Sequence, residues 1–197
     1  MKIYDISQEV YSCVVFPGDP HPEKTVVLRI EDGALCNLSA LSMCAHNGTH
    51  VDAPFHFLND GKKIDELDLE KLVGYCYVYT KDGELGAEEA KKVIELAKEV
   101  DEECAKRLLF RGNTTVTEEA AKVFAENHIY LVGNESQTVG PLDAPMQTHL
   151  ILLSEEIVLL EGIRLSEVKD GKYLLNAAPI NLGQSDGAPC RALLMEI

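Results

Sequence analysis

The sequence predicts a mixed α/β domain, a β-sheet core with flanking helices. Two patterns carry that expectation. Seven apolar, β-branched segments punctuated by Gly, Pro and Asp read as strands, and two segments with helical spacing lie between strands in the middle of the chain. Strands 2–6, 25–29 and 38–45 come first, and a short helix is expected over 64–72. Strand 75–80 follows, built around Tyr75-Cys76-Tyr77-Val78. The segment 86–100 places Val93, Leu96 and Ala97 on one stripe with Glu and Lys opposite, which predicts an amphipathic helix. After strand 107–111, the segment 117–127 opens on Thr117, a residue suited to an N-cap, and stripes Ala121, Phe124 and Ala125. Strands 129–132 and 192–197 complete the set. Helices inserted between strands imply a partly parallel sheet with the helices packed against it. No composition break or repeat divides the chain, so residues 1–197 are expected to form one domain. A domain of this size hides about 70% of its unfolded surface, enough for a sizeable core.

Charge and composition narrow the function classes. The chain has 33 acidic and 18 basic residues, a formal net charge of −15, which repels phosphate backbones. Nucleic acid and anionic membranes are therefore not expected as partners. No apolar run reaches the ~18–20 residues of a membrane helix. The opening MKIYDISQEV lacks a basic segment followed by an apolar one, so the expected location is the cytoplasm. The cysteines at 13, 36, 44, 76, 104 and 190 form no C-x-x-C pair, and most sit among apolar neighbours. They are read as small buried hydrophobes without chemistry.

The informative segment is 46–56, which holds His46, His50 and His56 together with Asp52. A solvated polar loop would explain it poorly, because Leu38, Ala40, Leu41 and Met43 precede it and Phe57 and Leu58 follow. Three separate core histidines would each need a buried partner. Neutral imidazoles with a carboxylate form a ligand set for a divalent transition metal. A helix would put His46 and His50 on one face, but Pro54 would clash with the carbonyl of residue 50. A straight strand would separate them by about 13 Å, too far for bonds of about 2 Å. The chain must bend between them, and Gly48 is the residue that can take positive φ. Pro54 supplies a second fixed bend.

The run His46-Asn47-Gly48-Thr49-His50-Val51-Asp52-Ala53-Pro54-Phe55-His56 resembles the H-x-G-T-H-x-D-x-P-x-H signature of the cyclase-like metal-dependent hydrolases, a family that includes bacterial kynurenine formamidases and isatin hydrolases. The resemblance extends to Phe16-Pro17-Gly18-Asp19-Pro20, similar to the family's aromatic-P-G-D turn. It reaches Asn59–Asp65 and the close Asp186-Gly187-Ala188-Pro189-Cys190-Arg191. It implies a cyclase-like, swivelling β/β/α fold.

The resemblance also implies two further ligands, a His and a Glu twelve residues apart, and His149 and Glu161 have that spacing. By themselves these residues leave alternatives open. Taken alone, His149 reads first as a satisfied core histidine, and Glu161 also admits the reading of an edge-strand residue facing water. Either Asp143 caps a short helix carrying His149 and residues 157–163 form a strand, or a hairpin centred on Glu155 pairs 149 with 161. By the resemblance, His46, His50 and Asp52 would hold one metal, and Asp52, Glu161 and His149 a second. The donor set of imidazoles and carboxylates suits Zn²⁺ first and Mn²⁺ second, with one or two ions per chain. His56 would be the general acid/base, or alternatively would support a ligand. Phe16 would offer a stacking face to substrate, at a position where formamidases carry Trp. Residues 133–138 depart from the family's Asp-Thr-Pro-Ser, so the acyl and amine parts of the substrate stay open.

The resulting expectation is a metal-dependent amidohydrolase acting on a small-molecule amide, foremost an aryl formamide. A hydrolase opening a cyclic amide or imide is the alternative, and a non-catalytic metal-bound protein that binds small carbonyl compounds is the reading from another class. By analogy with the family, the chain is expected to form a homodimer or homotetramer.

Overall fold

A computed structural model describes residues 1–196. In chain order the strands and helices are β1 (Ile3–Asp5), β2 (Glu23–Leu28), β3 (Leu38–Ser42), β4 (His50–Asp52), β5 (Val73–Thr80), β6 (Gly83–Leu85), α1 (Ala87–Val100), β7 (Arg107–Arg111), β8 (Thr114–Val116), α2 (Glu118–Glu126), β9 (Leu131–Asn134), α3 (Met146–Ser154), β10 (Val158–Glu161), β11 (Gly171–Asn176), β12 (Gly187–Pro189) and β13 (Leu193–Met195). Nine strands form one mixed sheet in the order β1-β13-β11-β5-β7-β9-β10-β4-β12. Its centre, β5-β7-β9-β10, is parallel, and the flanks are antiparallel. Parallel neighbours need crossovers, and the three helices supply them: α1 between β5 and β7, α2 between β7 and β9, α3 between β9 and β10.

Central strands covered on both faces need apolar residues on both. Val158-Leu159-Leu160 in β10 and Leu108-Leu109-Phe110 in β7 meet that requirement, and all six are fully buried. Alternation sorts them. Leu108, Phe110 and Leu159 pack with Val93, Ile94 and Ala97 of α1, Phe124 of α2 and Leu152 and Leu153 of α3. Leu109, Val158 and Leu160 face a second cluster that includes Ile6 and Leu194 from one end of the sheet and Val51 and Ala188 from the other. Opposite ends sharing one cluster means that the sheet curls around it. Each of these large apolar side chains contributes roughly 1.5–3 kcal/mol by leaving water.

Several elements differ from the sequence expectation. Residues 64–72 form two single 3₁₀ turns, Ile64–Glu66 and Leu69–Lys71, because Leu67 and Asp68 between them are extended. β9 starts two residues late, at Leu131, since Ile129 and Tyr130 still bond back to Phe124 and Lys106. A helix, not a hairpin, carries His149. Its cap is Pro145, without a side-chain bond, so Asp143 does not cap it. Of the strand expected over 192–197, Leu193–Met195 is extended in β13, and its last residue lies outside the described residues. Cys76 and Cys104 are buried as expected, but Cys36 is exposed and the other three are only partly covered. β2 and β3 pair with each other apart from the main sheet, and every residue of both is exposed. The apolar run before the His-rich loop is thus not a core segment. Among the described residues no helix is long and apolar enough to cross a membrane.

Candidate metal centre and active site

The His-rich segment is half loop and half strand. Gly48 takes φ +70, the bend that the ligand spacing required, and β4 follows at once. β4 lies between β10 and β12, so it is covered on both edges. In the antiparallel register, Glu161 of β10 stands opposite His50, and Leu159 opposite Asp52. Opposed residues share a face, and Leu159 marks that face as the one bearing the helices. α3 lies on this side and brings His149 over the strand ends. Two stretches a hundred residues apart in sequence therefore converge, and Glu161, at 2% exposure, is an interior residue, not an edge one.

The side chains form two triads sharing a carboxylate. His46 Nδ1 lies 2.8 Å from Asp52 Oδ1, and His50 Nε2 lies 3.4 Å from the same oxygen and 3.5 Å from Glu161 Oε2. His149 Nε2 lies 3.2 Å from Glu161 Oε1 and 3.8 Å from Asp52 Oδ2. Within each of the sets His46/His50/Asp52 and Asp52/His149/Glu161, one donor atom per residue falls within 4.8 Å of the others, so both could hold a metal. Two of the rings are anchored from behind. His50 Nδ1 donates to the Gly48 carbonyl at 3.1 Å and His149 Nδ1 to the Pro145 carbonyl at 2.8 Å, which turns each Nε2 toward the carboxylates. Such an anchor sets the tautomer that a metal ligand needs.

Electrostatics points the same way. Asp52 Oδ2 is buried and has no hydrogen-bond partner. A bare carboxylate oxygen in the interior is costly unless a cation completes it. Burial opposes protonation of His46, yet the Asp52 charge and hydrogen bonds to Asp186 and Asp52 outweigh it, raising its pKa to about 10. His50 likewise rises to about 10, burial being overcome by hydrogen bonds to Asp52 and Glu161. Burial works against the Asp52 charge, but the neighbouring His46 and His50 hold its carboxyl well below the usual range. The centre demands positive charge, and a divalent cation fits both the orphaned oxygen and the donor set.

A cavity of about 250 Å³ opens onto the centre, lined by Phe16, Asp19, His46, His50, His56, Phe57, Gln137, Thr138, Pro145, His149 and Glu161. His56 stacks on His46 with ring centroids 4.0 Å apart and meets Phe57 edge-on at 4.6 Å. Burial lowers its pKa, although the Asp52 charge pulls the other way. Phe16 stands on the wall of the same cavity. Nothing in the sequence distinguishes Asp19, Phe57, Gln137 and Thr138 as individual site residues, although the loop at 133–138 departs from the family pattern. Asp186 stands in a closing motif that by itself carries no role.

A polar network behind the candidate ligands ties the loop to the end of β10. Thr49 Oγ1 donates to the Gly162 carbonyl at 2.7 Å and accepts from Gln8 N at 2.9 Å, while Gln137 Nε2 donates to the Gly48 carbonyl at 3.1 Å. Thr49→Val keeps the shape but strands the Gln8 amide. Denaturant unfolding is expected to show a loss of about 1–3 kcal/mol. An unchanged midpoint would show that the network is not what holds the loop.

Fold and site together define the class: an enzyme of the metal-dependent hydrolase type. A family profile for the Cyclase family matches residues 4–141, and the chain belongs to that family. It is 32% identical over 212 residues to a kynurenine formamidase of Bacillus anthracis, covering 100% of this chain and 98% of that one. A solved structure described as a potential metal-dependent hydrolase with cyclase activity superposes with a TM-score of 0.81 at 27% identity, covering 98% and 96% of the two chains. Isatin hydrolase A from Labrenzia aggregata has the same fold, with a TM-score of 0.81 at 20% identity over 98% and 93% of the chains.

Proposed function

We propose that residues 1–197 work as one domain that hydrolyses the C–N bond of a small amide, foremost an aryl formamide. In this reading His46, His50 and Asp52 hold one divalent cation, and Asp52, His149 and Glu161 a second. Bound there, the cations supply Lewis-acid charge to a carbonyl oxygen and to the attacking water. Zinc suits three imidazoles and two carboxylates best, and manganese is next. His56, on the cavity wall beside His46, takes the proton from water and returns it to the leaving nitrogen. Phe16 offers its ring face to the substrate, and Phe57 meets His56 edge-on on the same cavity wall. The observation that carries the reading is the shared Asp52, whose Oδ2 is buried without a hydrogen-bond partner between two histidine-bearing segments.

The test is metal analysis of the purified chain with a chelator-controlled screen of formamides, aryl amides and cyclic imides. Two zinc or manganese equivalents and chelator-sensitive turnover of a formamide are expected. A metal-free protein, or turnover indifferent to chelator, would overturn the reading. Preferential opening of cyclic imides would move the substrate assignment to ring amides.

We further propose a cytoplasmic homodimer, or a tetramer built from it, held through the β2–β3 hairpin. Residues 33–45 carry no charge in a chain that is 26% charged, yet Leu35 is fully exposed and Leu41 is 60% exposed. A two-stranded hairpin is marginal by itself, and patches of this kind mark an interface. A second copy suits it because the 20-residue segment 23–42 matches the roughly 20–30 residues that each partner gives to a standard interface. Sedimentation of the Leu35→Asp/Leu41→Asp variant is expected to shift the mass to that of the monomer. An unchanged mass would remove the hairpin from the interface.

A further inference from the structure

We infer that Asp186 is a positioning residue that orients two histidines at once, the ligand His46 and the proton carrier His56, and this rests on the two-metal reading above. Asp186 ends the stretch leading into β12, and its carbonyl accepts from Ala53 N at 2.9 Å, which fixes its backbone beside the end of β4. One carboxylate oxygen does both jobs. Asp186 Oδ2 lies 2.9 Å from His46 Nε2 and 3.4 Å from His56 Nδ1. Ser185 Oγ donates to the Gly187 carbonyl at 2.8 Å and lies 3.3 Å from the other carboxylate oxygen, Oδ1, so it makes no contact with Oδ2. A single oxygen can serve both because the two rings stack, 4.0 Å apart and tilted by 30°.

The next residue supports the arrangement independently. A Cβ at Gly187 would lie 2.7 Å from His46 Cε1 and 2.8 Å from the Val51 carbonyl, closer than side chains tolerate. The backbone there presses directly on the imidazole and confines it between Asp186 and Asp52. Asp186-Gly187 is thus a seat for His46: one residue bonds the ring, and the other leaves room for it.

The consequence is a choice of tautomer for each ring. A neutral His46 that donates Nε2–H to Asp186 presents only Nδ1 to a cation, and Nδ1 is the atom 2.8 Å from Asp52 Oδ1. Gly48 and Pro145 carbonyls anchor the other two ligand rings, and Asp186 is the counterpart for the third. His56 Nδ1 lies 3.4 Å from the same oxygen, close enough for the carboxylate charge to favour the proton on that nitrogen and leave the Nε2 lone pair for the proton transfer. A base whose tautomer is set by a neighbouring carboxylate follows the logic of nucleophile–base–orienter triads, transferred here to activation of water.

The experiment compares wild type, Asp186→Asn and Asp186→Glu as holoenzymes. Zinc content at saturation, zinc affinity by competition with a chromophoric chelator, and kcat and KM are measured for each. The Asp186 side chain is 43% exposed, so the isosteric Asn is tolerated by the fold. Asp186→Asn is expected to keep the full zinc content, to bind zinc about 10–100-fold more weakly, and at saturating zinc to lose roughly 10²-fold in kcat with KM unchanged. Asp186→Glu is expected to recover part of both losses. Wild-type affinity and kcat in Asp186→Asn would overturn the inference. So would the loss of one zinc equivalent, which would make Asp186 a ligand together with His46 and His56. A wild-type chain that binds no zinc would instead overturn the two-metal reading itself, which separates the two failures.

Discussion

Glu161→Gln is expected to lower turnover by about 10³-fold or more and to remove one of two bound metal equivalents. Gln has the shape of Glu and retains an acceptor oxygen, so the 2.7 Å hydrogen bond from Val139 N survives and the interior of β10 stays filled. What disappears is a full negative charge within 3.5 Å of two histidines. Two dications held close together repel strongly, and shared carboxylates offset that repulsion. With Asp52 as the only remaining carboxylate of the centre, the second set keeps one charged ligand instead of two. A few kcal/mol of lost transition-state stabilisation corresponds to the expected three decades. His149→Ala should behave alike, because His149 belongs to the second set alone, whereas His46→Ala should empty the first. Metal content by elemental analysis with kcat from a formamide assay decides it. Wild-type metal content in Glu161→Gln would mean that Glu161 is a structural carboxylate and that the second set is misassigned.

The parts of this site differ in how openly the sequence displays them, and distance along the chain explains why. The segment 46–56 is legible because its candidate ligands are close together, so the need for a bend at Gly48 and a stop at Pro54 follows from backbone sterics alone. His149 and Glu161 are legible only through resemblance. Nothing local distinguishes a ligand in α3 from a core histidine, and it is the register pairing Glu161 with His50 that settles where the carboxylate points. Strands of three residues, such as β6, β8 and β12, are too short to show a period and stay invisible until neighbours pair with them. The exposed hairpin misleads in the opposite direction: its apolar residues imitate a core strand, yet every residue of β2 and β3 is exposed in the folded chain. Asp186 meets His46 at 2.9 Å from a loop far along the chain, a relation that exists in space and not in spacing.

His56→Asn is expected to cost roughly 10²–10⁴-fold in kcat while leaving metal content and affinity unchanged, the reverse pattern to loss of a ligand. The geometry sets the contrast. His56 lies in the single 3₁₀ turn Pro54–His56 that follows β4, two bends downstream of His46. It stacks on His46, joins neither of the two sets that share Asp52 but gathers with His46 and Asp186 in a third, less buried group, and its side chain is 29% exposed on the cavity wall. A ring so placed can exchange protons with a substrate in the cavity. Burial keeps its pKa below the usual imidazole value, so at neutral pH it is the unprotonated form that meets the water. The acid limb of kcat/KM is accordingly expected below pH ~6.5, and it should vanish in the variant together with most of the rate. Asn keeps a planar polar group in the turn, and the 2.9 Å contact between Asp186 and His46 does not involve residue 56, so it is left in place. Metal content falling in step with kcat would reassign His56 to the ligand set through His46 and Asp186. A kcat within twofold of wild type would remove it from the proton path and direct attention to Asp19 on the cavity wall and Asp186 beside His56.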